Sequence, residues 1–180
     1  MAREPVTRDR IERFLRELGR RYRGGGRIYL TGGSEMVFLG FRRQTEDVDY
    51  VVHLDGDDQE FTTAVRSLIG DLDLSIEPVG PGDFIPLPHG WEVRSSFIGR
   101  HDQLDAYLFD PVSSALSKVE RGTSRDIEDA LALVRRGLFS LSDLSDAFDE
   151  VAGRLATESL RVDEADFRKK FAAFKALAGG

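Results

Sequence analysis

The chain has 180 residues, 41% of them hydrophobic, enough for one domain or one domain with a helical extension. It has no cysteine, which excludes disulfides, thiolate nucleophiles and cysteine-ligated zinc. A net charge of −7 argues against broad non-specific nucleic-acid binding but not against an RNA held by a local basic patch.

Residues 1–14 are charged and lack the apolar segment of a signal peptide. No apolar run is long enough to span a bilayer, so no membrane association and a cytoplasmic location are expected. Residues 7–23 read as a helix, with Thr7 as N-cap and Ile11, Phe14, Leu15 and Leu18 on one face. The triple glycine at 24–26 is a helix stop; neither a dinucleotide-binding nor a P-loop pattern follows it. Residues 27–30 form a first strand, and Gly32-Gly33-Ser34 opens a short helix reaching about residue 41. Residues 42–45 make a basic loop, and residues 46–54 a second strand. Asp57 or Asp58 caps a helix running to about residue 69, and residues 72–78 are a third strand. Residues 80–90, rich in proline and glycine, are a loop able to act as a lid. Residues 91–98 and 104–109 are read as further strands. Asp110-Pro111 then starts a helical half, with helices expected over residues 111–121, 124–136, 140–156 and 163–177. Ser140 with Asp143 resembles a capping box. The fold class is therefore α/β (α+β): a small mixed sheet flanked by helices over residues 1–110, and an all-helical part over 111–180 packed on that core.

The chemistry concentrates between residues 28 and 54. Asp47 and Asp49 alternate along a strand and so project to one face. Adjacent carboxylates repel unless a positive charge sits between them, and a hard divalent cation fits oxygen ligands. The competing reading is a solvated strand face. Just upstream, Gly32, Gly33 and Ser34 open a helix whose first N–H groups attract phosphate. Ser34 can cap that helix or hold a phosphate. Asp105, inside the apolar run LDAYLF, is a candidate third carboxylate; its alternatives are a core hydrogen bond or an exposed face, and its competitors are Asp102 and Asp110. Lys118 and Arg121 share a helix face, ordinarily a solvated one. Asp126 and Asp129 share a face of the next helix. His53, His89 and His101 have no metal-ligand spacing.

The Gly-Gly-Ser turn followed twelve residues later by Asp-Val-Asp resembles the signature of the nucleotidyltransferase superfamily related to DNA polymerase beta. In the C-terminal half, Lys118-Val119-Glu120-Arg121 and Arg125-Asp126-Ile127-Glu128-Asp129 resemble the Lys-Leu-x-x-Arg and Asp-x-x-Asp elements of bacterial nucleotidyltransferase toxins of the AbiEii and MenT type, with valine in place of the leucine. The likeness spans roughly residues 29–136. It implies a nucleotidyltransferase core and transfer of a nucleoside monophosphate from an NTP to an acceptor hydroxyl, with Mg²⁺ or Mn²⁺. It implies Asp47, Asp49 and Asp105 as metal ligands and as catalytic groups together with Lys118 and Asp126. Gly32, Gly33, Ser34, Arg43 and Arg121 would bind the nucleotide, and Arg42 could help guide it. The implied acceptor is a tRNA 3′ end or a protein, and the implied partner is an antitoxin. A small-molecule nucleotidyltransferase of the antibiotic-modifying kind, or an inactive nucleotide-binding module, are the alternative expectations.

Overall fold

The structure is a computed structural model and describes residues 4–159 and 161–180; residues 1–3 of the charged N-terminal stretch lie outside the described residues. The chain forms two compact units. The first runs to Val79 and takes in Ser95–Phe109; the second comprises Gly80–Arg94 and Asp110–Gly180.

The first unit contains β1 (Val6–Thr7), α1 (Arg8–Arg21), β2 (Gly26–Leu30), α2 (Gly32–Phe38), β3 (Gln44–Thr45), β4 (Asp47–Leu54), α3 (Asp58–Leu72), β5 (Ser75–Pro78), β6 (Ser96–His101) and β7 (Leu104–Leu108). Among the described residues, β1 and β3 pair in a small ribbon, and the other strands form a five-stranded mixed sheet in the order β5-β4-β2-β7-β6. β2 runs antiparallel to β4 and parallel to β7. The alternation of side chains explains the two faces. Ile28 and Leu30 of β2, Val48 and Tyr50 of β4 and Ala106 and Leu108 of β7 are buried in one core with Phe14, Leu15 and Leu18 of α1 and Phe61, Val65 and Leu68 of α3. On the opposite face Tyr29 stacks on Tyr107 and meets Phe109 edge-on. α1 ends at Arg21 with Tyr22 as its C-cap, two residues short of the expected end at residue 23, and Gly26 opens β2.

In the second unit a 3₁₀ turn (Pro81–Asp83) and α4 (Trp91–Arg94) accompany α5 (Pro111–Arg121), α6 (Ser124–Arg135), α7 (Leu141–Glu158) and α8 (Glu164–Ala178). Asp110 is the N-cap of α5: its carboxylate accepts the N–H groups of Val112 and Ser113 and is itself fully buried. Arg94 satisfies the same carboxylate with two hydrogen bonds of 2.9 and 2.7 Å, so the buried charge is paired. Ser140 and Asp143 form the expected capping box at α7. Phe167, Phe171 and Phe174 of α8 are buried, and Phe148 of α7 stacks on Phe171.

Two stretches depart from expectation. Residues 91–98 are not a strand: α4 occupies Trp91–Arg94, and β6 begins only at Ser96. Gly90 takes a positive φ of 76°, and its carbonyl accepts the N–H groups of Val93 and Arg94, which coils the segment. Residues 42–45 are not all loop, because Gln44–Thr45 pairs with Val6–Thr7. Among the described residues no helix is long and apolar enough to cross a membrane.

Candidate active site

The Gly32-Gly33 turn is fitted to the acids by close approach. Gly32 sits at φ +51°, and a β-carbon there would collide with the Asp49 carboxylate; one on Gly33 would collide with the Thr45 hydroxyl. Glycine alone permits both the backbone angle and the contact. The Gly33 N–H donates to Asp49 Oδ2 at 2.8 Å. The Thr31 N–H donates to the Asp49 carbonyl at 3.1 Å.

Ser34 is fully buried and already engaged. Its hydroxyl accepts the Asp49 N–H at 2.9 Å and donates to the Asp47 carbonyl at 3.3 Å. It therefore pins the backbone on which both aspartates stand. The N-cap of α2 is Thr31, so Ser34 does not cap that helix, and its hydroxyl is bonded to β4.

Asp47 and Asp49 are half-buried and lie on the β4 face opposite Val48 and Tyr50. The third carboxylate at this place is Glu77, not Asp105. β5 runs parallel to β4 with Glu77 in register with Asp49. One carboxylate oxygen from each of Asp47, Asp49 and Glu77 lies within 4.8 Å of the others, and these three are the one such group among the described residues. Asp105 stands opposite Arg27 of β2, which faces His53 of β4, four residues along from Asp49. That is about 13 Å along the strand direction, and two strands across the sheet. Arg100 holds Asp105 through two hydrogen bonds of 2.6 and 2.9 Å, and this partner keeps the Asp105 carboxyl below the usual aspartate range. The apolar run around Asp105 made it look costly and hence functional; a neighbouring-strand arginine supplies the partner. The sequence signal for Glu77 was a carboxylate inside the short strand SIEP. What the sequence does not contain is the strand order that sets β5, rather than β7, beside the aspartates at that end.

The hydroxyl of Thr31, buried at the end of β2, donates to the Val79 carbonyl at 2.6 Å. Val79 in turn donates its N–H to the Glu77 carbonyl. The three acids thus stand on two adjacent strands tied to the same turn. Two oxygens on a single Mg²⁺ or Mn²⁺ ion lie at most about 4 to 5 Å apart, so an all-oxygen set with this spread fits such an ion. Arg43 is exposed in the turn before β3, and Arg42 is half-buried there.

The remaining candidates belong to the second unit, where they form a cluster of their own. Lys118 is 5% exposed, with Nζ 2.7 Å from Asp129 Oδ2 and 4.0 Å from Asp126 Oδ1. Asp126 accepts the Thr123 hydroxyl at 2.6 Å and lies 3.5 Å from Arg121 Nε. The Arg121 guanidinium also stands 4.9 Å over the Phe84 ring. Lys118, Asp126 and Asp129 thus form a buried charge cluster with Arg121 at its exposed edge, and Asp129 is the closest partner of the lysine.

None of the curated proteins and none of the solved structures compared matches the chain. One family model does, over residues 10–175, and that span covers both units, the glycine turn, all three converging acids and the Lys118 cluster. The chain belongs to the family described as nucleotidyltransferase of unknown function (DUF6036).

Proposed function

We propose that the protein transfers a nucleoside monophosphate from an NTP to an acceptor hydroxyl, with the chemistry centred on Asp47, Asp49 and Glu77. The observation that carries this reading is the convergence of the three carboxylates beside the Gly32-Gly33 turn, in a chain of a nucleotidyltransferase family. In this reading the acids would hold Mg²⁺ or Mn²⁺. When bound, such an ion neutralises triphosphate charge and polarises the phosphoryl oxygens. The acceptor oxygen forms its bond to the α-phosphorus while the bond to the bridging oxygen breaks, releasing pyrophosphate. The acceptor proton passes to a carboxylate of the cluster. The chain's own contribution is positioning: Ser34 and Gly33 fix the aspartates in advance, so little reorganisation is needed at the moment of transfer.

The finer assignment is a toxin of a toxin–antitoxin pair, acting on a tRNA 3′ end or on a protein. Its support is the likeness of the Lys118–Arg121 and Asp126–Asp129 elements to those of the toxins. Incubation with each α-³²P-labelled NTP and Mg²⁺ or Mn²⁺, with cellular RNA and protein as acceptors, tests the reaction. Label is expected in one acceptor class with wild type and none with Asp49→Ala, a loss of at least 10³-fold. Expression is expected to arrest growth, and Asp49→Ala to relieve it. Wild-type protein that labels nothing with any NTP would overturn the activity; labelling without growth arrest would overturn the toxin role.

A further inference from the structure

The sheet face that carries the acids also carries a row of aromatic rings. Residues paired in register on neighbouring strands point to the same side, so the register defines rows across the sheet. Asp47, Asp49, Val51 and His53 share one face of β4. Val51 is paired with Tyr29 of β2, Tyr29 with Tyr107 of β7, and Tyr107 with Phe97 of β6. The ring contacts agree with this placement: Tyr29 stacks on Tyr107 with 5.2 Å between centroids, and Phe97 meets Tyr107 edge-on at 5.5 Å. Ile98, the next residue of β6, packs on the opposite side against the core.

Exposure rises along the row. Tyr29 is 1% exposed, Tyr107 is half-buried and Phe97 is 57% exposed. Packing between strands accounts for the inner rings. An isolated exposed ring is ordinary, but this one is the open end of a continuous aromatic row beside the acids. Among the described residues Phe97 is the one exposed aromatic side chain.

The position suits a ligand of definite size. The row lies one residue pair from Asp49, with Tyr107 two strands across from β4 and Phe97 three. Strand rise and spacing place the two rings' backbone positions about 12 and 16 Å from that of Asp49. An extended nucleoside triphosphate whose phosphates meet a cation on Asp47, Asp49 and Glu77 reaches this far with its base. The strip is also narrow. The next row away from the acids is polar, with His53 paired to Arg27 and Asp105 to Arg100. One residue pair is about 7 Å along the strand, the scale of a single base and too narrow for a protein segment. Stacking on an aromatic ring needs no charge on the protein and accepts the π-face of any base.

We propose that Tyr107 and Phe97 form the subsite for the base of the nucleoside triphosphate, with Phe97 as the ring that stacks on it. This deepens the transferase reading by giving the donor's base a place, and it rests on that reading for the donor's identity. The test is isothermal titration calorimetry of the full chain with Mn²⁺. The ligands, in separate runs, are inorganic tripolyphosphate and the α,β-methylene analogues of ATP, GTP, CTP and UTP, in which the bridge that transfer breaks is not cleavable. Tripolyphosphate reads the phosphates alone. Wild type is expected to bind at least one analogue about tenfold or more tightly than tripolyphosphate, the effect of one stacked base. Phe97→Ser is expected to bring that ratio below threefold while leaving tripolyphosphate affinity within twofold of wild type. Phe97→Leu, which keeps apolar bulk without the ring, is expected to lower the ratio likewise, and Phe97→Trp to preserve it. Thermal melting checks that each variant is folded. Analogues that bind wild type no more tightly than tripolyphosphate would overturn the subsite and leave the transferase reading standing. A ratio unchanged in folded Phe97→Ser and Phe97→Leu would place the base elsewhere. Wild type that binds neither class of ligand would overturn the transferase reading together with the subsite, so the two failures are distinguishable. Loss of affinity for a 12-nucleotide RNA in Phe97→Ser, with the analogue ratio unchanged, would take the rings from the donor and give them to the acceptor.

Discussion

At the scale of the residue, the informative contrast is between Glu77 and Asp105. Both are single carboxylates in short strands, and nothing in spacing or composition ranks one over the other. Their neighbours do. Glu77 is exposed and lies within reach of Asp47 and Asp49, in a group able to hold a cation, whereas Asp105 is held by Arg100. Glu77→Gln is therefore expected to weaken Mn²⁺ binding, read by electron paramagnetic resonance, at least tenfold. Asp105→Asn is expected to leave it within twofold of wild type. The aspartate does have a measurable role, and its sign is fixed by the arginine. Because the folded carboxyl titrates below its unfolded value, its contribution to stability is fully present above the unfolded pKa. It is lost as pH falls through the folded one. Thermal melts of wild type and Asp105→Asn should differ at neutral pH and converge in strong acid. The Asp-x-Asp pair and the glycine turn were legible because their positions are set by local chain geometry. The third acid was not, because register between β4 and β5 is a tertiary fact.

At the scale of the element, α2 and the start of β4 behave as one piece. α2 has only seven residues, too few to be stable alone, so it must be held from outside. Ser34 does much of that holding: its hydroxyl serves an N–H and a carbonyl of β4 from a site with no exposure. Removing the hydroxyl takes one hydrogen bond from each of these part-buried backbone groups, at a cost of about 1–3 kcal/mol. Ser34→Ala is expected to lower stability by that amount in urea unfolding and to weaken Mn²⁺ binding as the aspartates lose their alignment. Ser34→Thr keeps the hydroxyl but adds a methyl group where there is no space, so it should not rescue fully. An unchanged unfolding midpoint for Ser34→Ala would remove this role. The elements themselves were largely readable. Asp57, Asp110 and Ser140 cap helices as expected from the sequence, and Asp163, read as the first residue of the last helix, is its N-cap. The departure at residues 91–98 has a physical cause: Gly90, the last residue of the preceding loop, has a positive φ and a carbonyl that accepts the N–H groups of Val93 and Arg94, which coils Trp91–Arg94 into α4 before β6 begins at Ser96.

For the whole molecule, the excess of negative charge and the acid cluster act together on stability. Like charges confined within a few ångströms repel, and the unfolded chain relieves that repulsion by separating them. Without metal, Asp47→Asn/Asp49→Asn/Glu77→Gln should therefore melt at a higher temperature than wild type. A divalent ion that binds only the folded cluster adds RT ln(1 + [L]/Kd), about 2.7 kcal/mol at a hundred times Kd. General screening of a chain at −7 also stabilises it, so the comparison must hold ionic strength constant with KCl. Under that condition Mn²⁺ is expected to raise the melting temperature of wild type by several degrees and to leave the triple variant unmoved, reversing or closing the gap between them. Two outcomes would contradict the cluster as a cation site: a wild type that melts above the variant in the absence of metal, or equal shifts in both when Mn²⁺ replaces KCl. The same titration after addition of a chelator should return wild type to its metal-free value, because the ion's contribution is one of binding equilibrium and not of a change in fold.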